Sequence, residues 1–403
     1  MNNFVKLSDL CTKITDGSHY SPEGVDTGYP MFSVKDMRDR GFSYDDCKFI
    51  NETEYQNMVA NGCVPQKNDV LIAKDGSYLK HVFVITENKE EAVLSSIGIL
   101  RPDMTKVNPY YIKYYLSSEF VKKQVKKKYV SGSALPRIIL KNFENIEIPY
   151  VGLDIQNKIV SVLKSFDDKI TNNENINAEL ESLAKTIYDY WFLQFEFPNE
   201  KGLPYKSSGG KMVWSEELKR EIPEGWGVGR LPDFCDISTG RLDANAAVAS
   251  GQYPFFTCAP EASWIDTFAF ESDAILLAGN NAGGIFHCQR YCGKFNAYQR
   301  TYVLTSTNEW NINYIYHSLL HELDHLKKTS QGSQTKFLTM RLLNDFKVLR
   351  YPHSKLSKSL SIFTKIYEMI LCKREENREL AALRDWLLPM LMNGQVGFKE
   401  QER

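Results

Sequence analysis

His321-Glu322-Leu323-Asp324-His325 sets two imidazoles four residues apart with a carboxylate between them. On a helix both rings fall on one face, where they can take two corners of a Zn²⁺ tetrahedron while Glu322 serves as general base, as in a zinc metallopeptidase. The match is short, and no later third ligand stands out, His353 being the only candidate histidine. A solvated helix face is the plainer reading. His287-Cys288 and Cys292 form a single short cluster without a partner pair, which is weak as a metal site. A different chemistry is written at Lys122-Lys123-Gln124-Val125-Lys126-Lys127-Lys128, five lysines in seven residues, followed by Tyr129 and Ser131-Gly132-Ser133. Lysines at that density contact phosphates, and the glycine lets backbone N–H groups approach an anion. The competing reading is a lysine-rich helix end that complements the helix dipole.

Cofactor loops fail one by one. No GxxxxGK[ST] occurs, so ATP hydrolysis by this chain is not expected. Gly225-Trp226-Gly227-Val228-Gly229 is followed by Pro232, so no long helix can open there to hold a dinucleotide. Asn108-Pro109-Tyr110-Tyr111 lacks the second proline of the Asn-Pro-Pro-Tyr found in amino-methyltransferases and reads as a helix start. No Ser/His/Asp or Cys/His set can be assigned from spacing. Recognition is what remains.

The elements that must position these residues come twice. Leu7-Ser8-Asp9-Leu10-Cys11 meets Leu231-Pro232-Asp233-Phe234-Cys235, and Asp69-Val70-Leu71-Ile72 meets Asp273-Ala274-Ile275-Leu276. Tyr111-Ile112 meets Tyr314-Ile315, Ser131-Gly132-Ser133 meets Gln331-Gly332-Ser333, and Glu179-Leu180 meets Glu379-Leu380. Five blocks in one order, at an offset that shortens along the chain, make a tandem duplication in which the second copy has lost loop residues. Each copy begins with short β-branched runs such as 69–73 and 82–85, which predict strands, and with one helix, Pro109 to Lys128 or Ile312 to Lys328. Each ends in a long helix. Leu163, Phe166, Ile170, Asn173, Asn177, Leu180, Ala184, Ile187 and Trp191 step by three and four. So do Phe363, Ile366, Ile370, Lys373, Asn377, Leu380, Arg384, Leu387 and Leu391. Apolar ends around a polar centre predict an antiparallel coiled coil with a register-setting middle, the two copies related by a pseudo-twofold. Pro198 to Trp226, rich in Gly, Pro, Ser and Lys, reads as a linker.

Composition limits the class. The 403 residues are 43% apolar and 25% charged, enough for substantial cores. Neither a membrane span nor a signal peptide is read, and the eight cysteines form no CxxC, so reduced thiols in a cytoplasm are expected. A net charge of −1 argues against a strongly basic free-standing nucleic-acid binder. Contact with DNA therefore depends on local clusters or on charge supplied by a partner.

The whole chain resembles the specificity subunit of a type I restriction–modification enzyme. The resemblance rests on Leu7 to Gly17 (LSDLCTKITDG), Asn68 to Ser77 (NDVLIAKDGS), Ser131 to Pro136 (SGSALP), Ile222 to Trp226 (IPEGW) and, most specifically, Leu383 to Val396 (LRDWLLPMLMNGQV). It implies an α+β chain with two tandem target-recognition domains, each reading half of a bipartite asymmetric DNA site. The corresponding boundaries are 1–150 and 226–352 for the domains, 151–197 and 353–403 for the helical regions, and 198–225 for the linker. It also implies that the helices space the half-sites and dock two methyltransferase subunits carrying S-adenosylmethionine, and that a motor–nuclease subunit uses ATP. This chain would then carry no catalytic residue, cofactor or metal of its own. A standalone DNA-binding regulator is the other non-enzymatic alternative. Loops flanking the repeated strands are expected to face the DNA: Thr15, Ser18, His19, Lys35, Lys74, Tyr78 and Lys80 in the first domain, Thr239, Arg241, Asn280, Asn281, Gln299 and Arg300 in the second. Arg suits guanine O6/N7, and Asn or Gln suits adenine N6/N7. Lys122, Lys123, Lys126, Lys127, Lys128, Ser131, Ser133 and Arg137, with Gln331, Ser333 and Lys336 in the second copy, complete the expected DNA-binding set. The second domain keeps only Lys327-Lys328 of the lysine cluster.

Overall fold

The Val70–Ala73 run is apolar at every position because both its faces are covered, and all four residues are buried. It sits inside a four-stranded antiparallel sheet ordered Cys11–Asp16, Ile97–Pro102, Val70–Ala73, Val82–Val84. This is a computed structural model that describes residues 3–75, 79–129, 138–248, 251–281, 285–307, 310–330 and 336–398. Further along the chain the same order returns as Cys235–Thr239, Thr301–Ser306, Phe270–Ala278 and Cys288–Ala297. In both copies one strand then pairs parallel: Tyr29–Phe32 with Ala92–Val93, and Tyr253–Phe256 with the end of Cys288–Ala297. Each of those strands also takes an antiparallel neighbour, Lys48–Ile50 or Ser263–Ile265. A two-stranded ribbon closes each copy, Asn3–Lys6 on Glu147–Tyr150 and Gly227–Arg230 on Lys347–Arg350. The sequence repeat is thus a repeat of connectivity.

The helix expected from Pro109 to Lys128 is two helices, Pro109–Ser117 and Glu119–Tyr129. Ser118 interrupts it. Its backbone is extended, its hydroxyl donates to the Tyr115 carbonyl at 2.7 Å and accepts from the Val121 N–H at 3.3 Å, so it ends one helix and caps the next. The counterpart Ile312–Thr329 runs unbroken; it carries His321 at the matching place, and an imidazole cannot supply that short cap.

The chain divides into two compact units, residues 1–173 with 375–403, and residues 174–374. The division falls inside both long helices, Leu153–Tyr188 and His353–Met392, and not at the expected linker. In the first unit Leu388, Leu391 and Met392 pack into one core with Tyr111, Phe143, Ile159 and Leu163. In the second, Ala184, Tyr188 and Phe192 share a core with Leu356, Phe363 and Ile370. That second core also takes in the end of the stretch expected to be a linker. Met212–Ser215 and Arg220–Pro223 form a hairpin, and buried Trp226 lies 5.0 Å from the Phe197 ring, so aromatic packing anchors these residues.

Within the first unit the helical segments meet through polar groups. Asn173 Nδ2 donates to Asn377 Oδ1 at 2.8 Å, and Asn377 Nδ2 donates to the Ile170 carbonyl at 3.3 Å. One turn and a half earlier, Asp167 accepts from Arg384 Nη1 at 2.6 Å, Lys113 Nζ at 2.9 Å and the Tyr114 hydroxyl at 2.8 Å. Within the second unit Arg374 Nη2 donates to Glu181 at 2.9 Å, and Trp191 stands edge-on to Phe363 at 5.9 Å. In each unit, later residues of one helical segment meet earlier residues of the other.

Burial alone raises the Asp167 carboxyl, but the Lys113 charge and the hydrogen bonds from Lys113, Arg384 and Tyr114 outweigh it and hold the group down to about 2. A carboxyl depressed from its ordinary 3.8 stabilises the fold fully above that value and loses its contribution as pH falls through about 2. Asp167→Asn should cost about 3 kcal/mol at pH 7, since it leaves Lys113 and Arg384 without their carboxylate. In urea titrations from pH 5 to pH 2 the parent protein should lose stability more steeply than the variant. Equal slopes would remove Asp167 from this role.

Candidate nucleic-acid interface

Both sheets end in a glycine demanded by a close backbone approach. A Cβ on Gly17, after Cys11–Asp16, would stand 2.1 Å from the Val93 carbonyl oxygen; one on Gly240, after Cys235–Thr239, would stand 1.9 Å from that of Ala297. Only glycine fits either place. The chain therefore leaves each sheet at the same point, and part of the expected DNA-facing set lies near it.

In the first unit the sequence reading missed the group that organises this end. Asp16 is buried; Lys74 Nζ is ion-paired with its Oδ2, and His19 Nε2 lies 3.3 Å from its Oδ1. Lys74 itself is 3% exposed. The expectation that Lys74 faces DNA is therefore corrected: it could reach a groove only by leaving a buried carboxylate unpaired. It acts as a positioning residue for Asp16 and His19. Asp16 stands inside the LSDLCTKITDG block, which was the one signal available for it. Thr15 is half-buried on the same strand end, and His19 is exposed. The Ser18 hydroxyl donates to the Tyr20 carbonyl at 2.7 Å and accepts the Tyr20 N–H at 3.1 Å, which fixes the loop that carries His19. Lys35 is exposed on the short Val34–Asp36 turn.

A second group forms apart from Asp16. Lys80 and Lys122 line one cavity of about 380 Å³ with Lys113, Arg384, Asp39 and Glu119. Lys122 Nζ is 3.1 Å from Glu119, and His81 Nδ1 is 2.9 Å from Asp39 Oδ1. Lys123 and Lys127 are exposed on the Glu119–Tyr129 helix. The Lys126 and Lys128 side chains lie outside the described residues, as do Tyr78, Ser131, Ser133, Arg137, Gln331 and Ser333.

The second unit gathers more of its set. Asn280 and Asn281 pair as a short strand with Phe337 and Lys336, which sets Lys336 directly opposite Asn281. Cys258 Sγ donates to Asn280 Oδ1 at 2.8 Å and approaches the Arg300 carbonyl at 3.6 Å. The Gly279 N–H donates to that same carbonyl at 2.8 Å, so Asn280 and Arg300 are neighbours. The Gln299 N–H donates to the Leu242 carbonyl at 2.9 Å, which holds Gln299 next to the Thr239–Leu242 turn and its exposed Arg241. Thr239, Arg241, Asn280, Asn281, Gln299, Arg300 and Lys336 thus come together in one strip of backbone along the strand ends, Asn280 and Asn281 on alternate faces. Two guanidinium groups and three amides in one strip can donate to and accept from base edges while Lys336 meets a phosphate.

The HExxH helix gathers no such set. His321 Nε2 lies 3.7 Å from Glu322, and among the described residues no group of three His, Cys, Asp or Glu side chains is placed to hold a metal ion. No helix among them is long and apolar enough to cross a membrane.

A duplicated chain of two tandem α/β domains with long helices, each sheet ending in a matching glycine turn beside polar residues, defines the class. The chain belongs to the type I restriction modification DNA specificity family, whose domain matches residues 2–182 and 223–380. Specificity subunits of these systems are non-catalytic DNA-recognition subunits. It is 34% identical over 180 residues to the EcoDI specificity subunit of Escherichia coli, an alignment covering 44% of this chain and 40% of that one. It is 26% identical over 309 residues to the MjaIX specificity subunit of Methanocaldococcus jannaschii, covering 71% and 69%. The crystal structure of the type I S subunit from M. genitalium shares the fold, with a TM-score of 0.54 at 17% identity over 100% of this chain and 97% of that one.

Lys74 and Lys80, six residues apart in sequence, should separate on mutation. Lys74→Gln should cost about 3 kcal/mol by stranding Asp16, whereas exposed Lys80→Gln should stay within about 0.5 kcal/mol. Urea unfolding of both variants measures the difference; equal small costs would return Lys74 to the surface set.

Proposed function

We propose that this chain is the DNA sequence-recognition subunit of a type I restriction–modification complex. The observation that supports it most is the second unit's strip of Arg241, Asn280, Asn281, Gln299, Arg300 and Lys336, placed after a glycine turn that the first unit repeats at Gly17. Two such surfaces on duplicated domains suit a bipartite, asymmetric DNA site, with residues 1–150 reading one half and 226–352 the other. Thr15, Ser18, His19, Lys35 and Lys80 serve the first half together with Lys122, Lys123 and Lys127. Helical regions 151–197 and 353–403 pair as an antiparallel coiled coil under a pseudo-twofold and set the distance between halves. Their outward faces dock two methyltransferase subunits, and a motor–nuclease subunit completes the assembly in the cytoplasm. S-adenosylmethionine and ATP belong to those partners, and this chain contributes recognition alone.

Replacing residues 1–150 by the corresponding domain of another family member, with methylated adenines mapped across a genome, tests the reading. One half of the methylated site should change and the other should stay. A change in both halves, or in neither, would defeat the assignment of one domain to each half.

A further inference from the structure

The second unit holds a cavity of about 450 Å³ between the Ile312–Thr329 helix and its own portions of the two long helices. Two buried polar groups in its wall have no hydrogen-bond partner among the described residues. Arg290 is 7% exposed; its Nε donates to Asp273 Oδ1 at 3.1 Å and its Nη2 to Oδ2, while Nη1 finds no acceptor among the described residues. Tyr367 is 9% exposed, and its hydroxyl is equally without a partner among them. The guanidinium lies over the Tyr367 ring, 3.5 Å from its centroid, so the two stack and do not satisfy each other. Burial raises the Tyr367 phenol well above its ordinary value, which keeps its proton in place as a donor. Two donors in one wall call for an oxygen acceptor, since buried polar groups are ordinarily hydrogen-bonded.

The rest of the wall describes the body of that molecule. Charges cancel in pairs: Arg290 with Asp273, Arg374 with Glu181, and Lys185 with Asp189. His317 is pushed down to about 4 by burial and by Arg290, so it is neutral at pH 7. Its ring stacks with Tyr188 at 5.7 Å and lies 5.5 Å from Phe363. These rings offer an aromatic wall beside the two donors, in a volume usual for small-molecule sites.

We infer that this cavity binds a small aromatic molecule bearing a carbonyl or carboxylate oxygen, which accepts hydrogen bonds from Arg290 Nη1 and the Tyr367 hydroxyl while its ring lies against Tyr188, His317 and Phe363. The site is separate from the strand-end strip, and its occupancy does not depend on the DNA-recognition reading.

The test uses the full chain without DNA and three probes of one size: benzamide, benzoate and toluene. Melting curves and saturation-transfer NMR should show benzamide or benzoate binding with Kd at or below about 1 mM, and toluene at least about 5-fold weaker. The stronger of the two oxygen-bearing probes tells whether the acceptor is neutral or anionic. Ser182→Trp, on the exposed face of the helix at the cavity wall, should abolish binding and leave the unliganded melting temperature almost unchanged. If that variant does not fold, Ala178→Trp on the same face replaces it. Arg290→Lys should weaken the oxygen-bearing probes and leave toluene alone. Failure of both oxygen-bearing probes to bind, toluene binding equally well, or binding that survives the tryptophan variants would each overturn the inference.

Discussion

Asp167 ties three stretches of chain far apart in sequence to one carboxylate. Lys113 and Tyr114 come from the first α/β domain, Asp167 from the helix that follows it, and Arg384 from near the C-terminal end of the second long helix. A partly buried carboxylate is stable only when its hydrogen bonds and countercharges are supplied together, and here all three partners are present. The consequence is topological. Residues 375–403 belong to the first unit, so that unit is completed only after the chain has passed through the whole of the second. Leu388, Leu391 and Met392 make the return more than electrostatic, because they fill the core beside Phe143 and Leu163.

Asn173 and Asn377 add direction to that return. A buried amide in an apolar seam costs stability unless its register is right, and this pair bonds side chain to side chain and side chain to backbone. Within the first unit these amides align the two helical segments, and Ile159, Leu163, Leu388 and Leu391 supply adhesion beside them.

The duplication was legible because each strand is a compact apolar run, and runs such as 69–73 and 273–276 survive as recognisable blocks. Gly17 and Gly240 were legible as glycines, yet the backbone collision that requires them was not. The helix break at Ser118 escaped because apolar spacing continues across it; only the local competition of a serine hydroxyl ends the helix. The Pro198–Trp226 stretch passed for a linker because its anchors, Phe197, Ile222 and Trp226, are scattered among turn residues. At the candidate interface, Lys74 carries the same charge as Lys80 in sequence, and only the nearness of Asp16 separates a buried ion pair from an exposed cation. The meeting of Lys336 with Asn280 and Asn281 depends on a strand pair between segments more than fifty residues apart, which periodicity cannot show.

The central claim of the proposed function is that the two long helices set the distance between the two DNA-reading halves. Removing one heptad from both helices keeps the apolar seam in phase and shortens each by about 10 Å, close to three base pairs of duplex. With partner methyltransferase subunits present, the methylated sites of this variant should keep both recognised halves and change only the unspecified gap between them. An active variant with an unaltered gap would contradict the account.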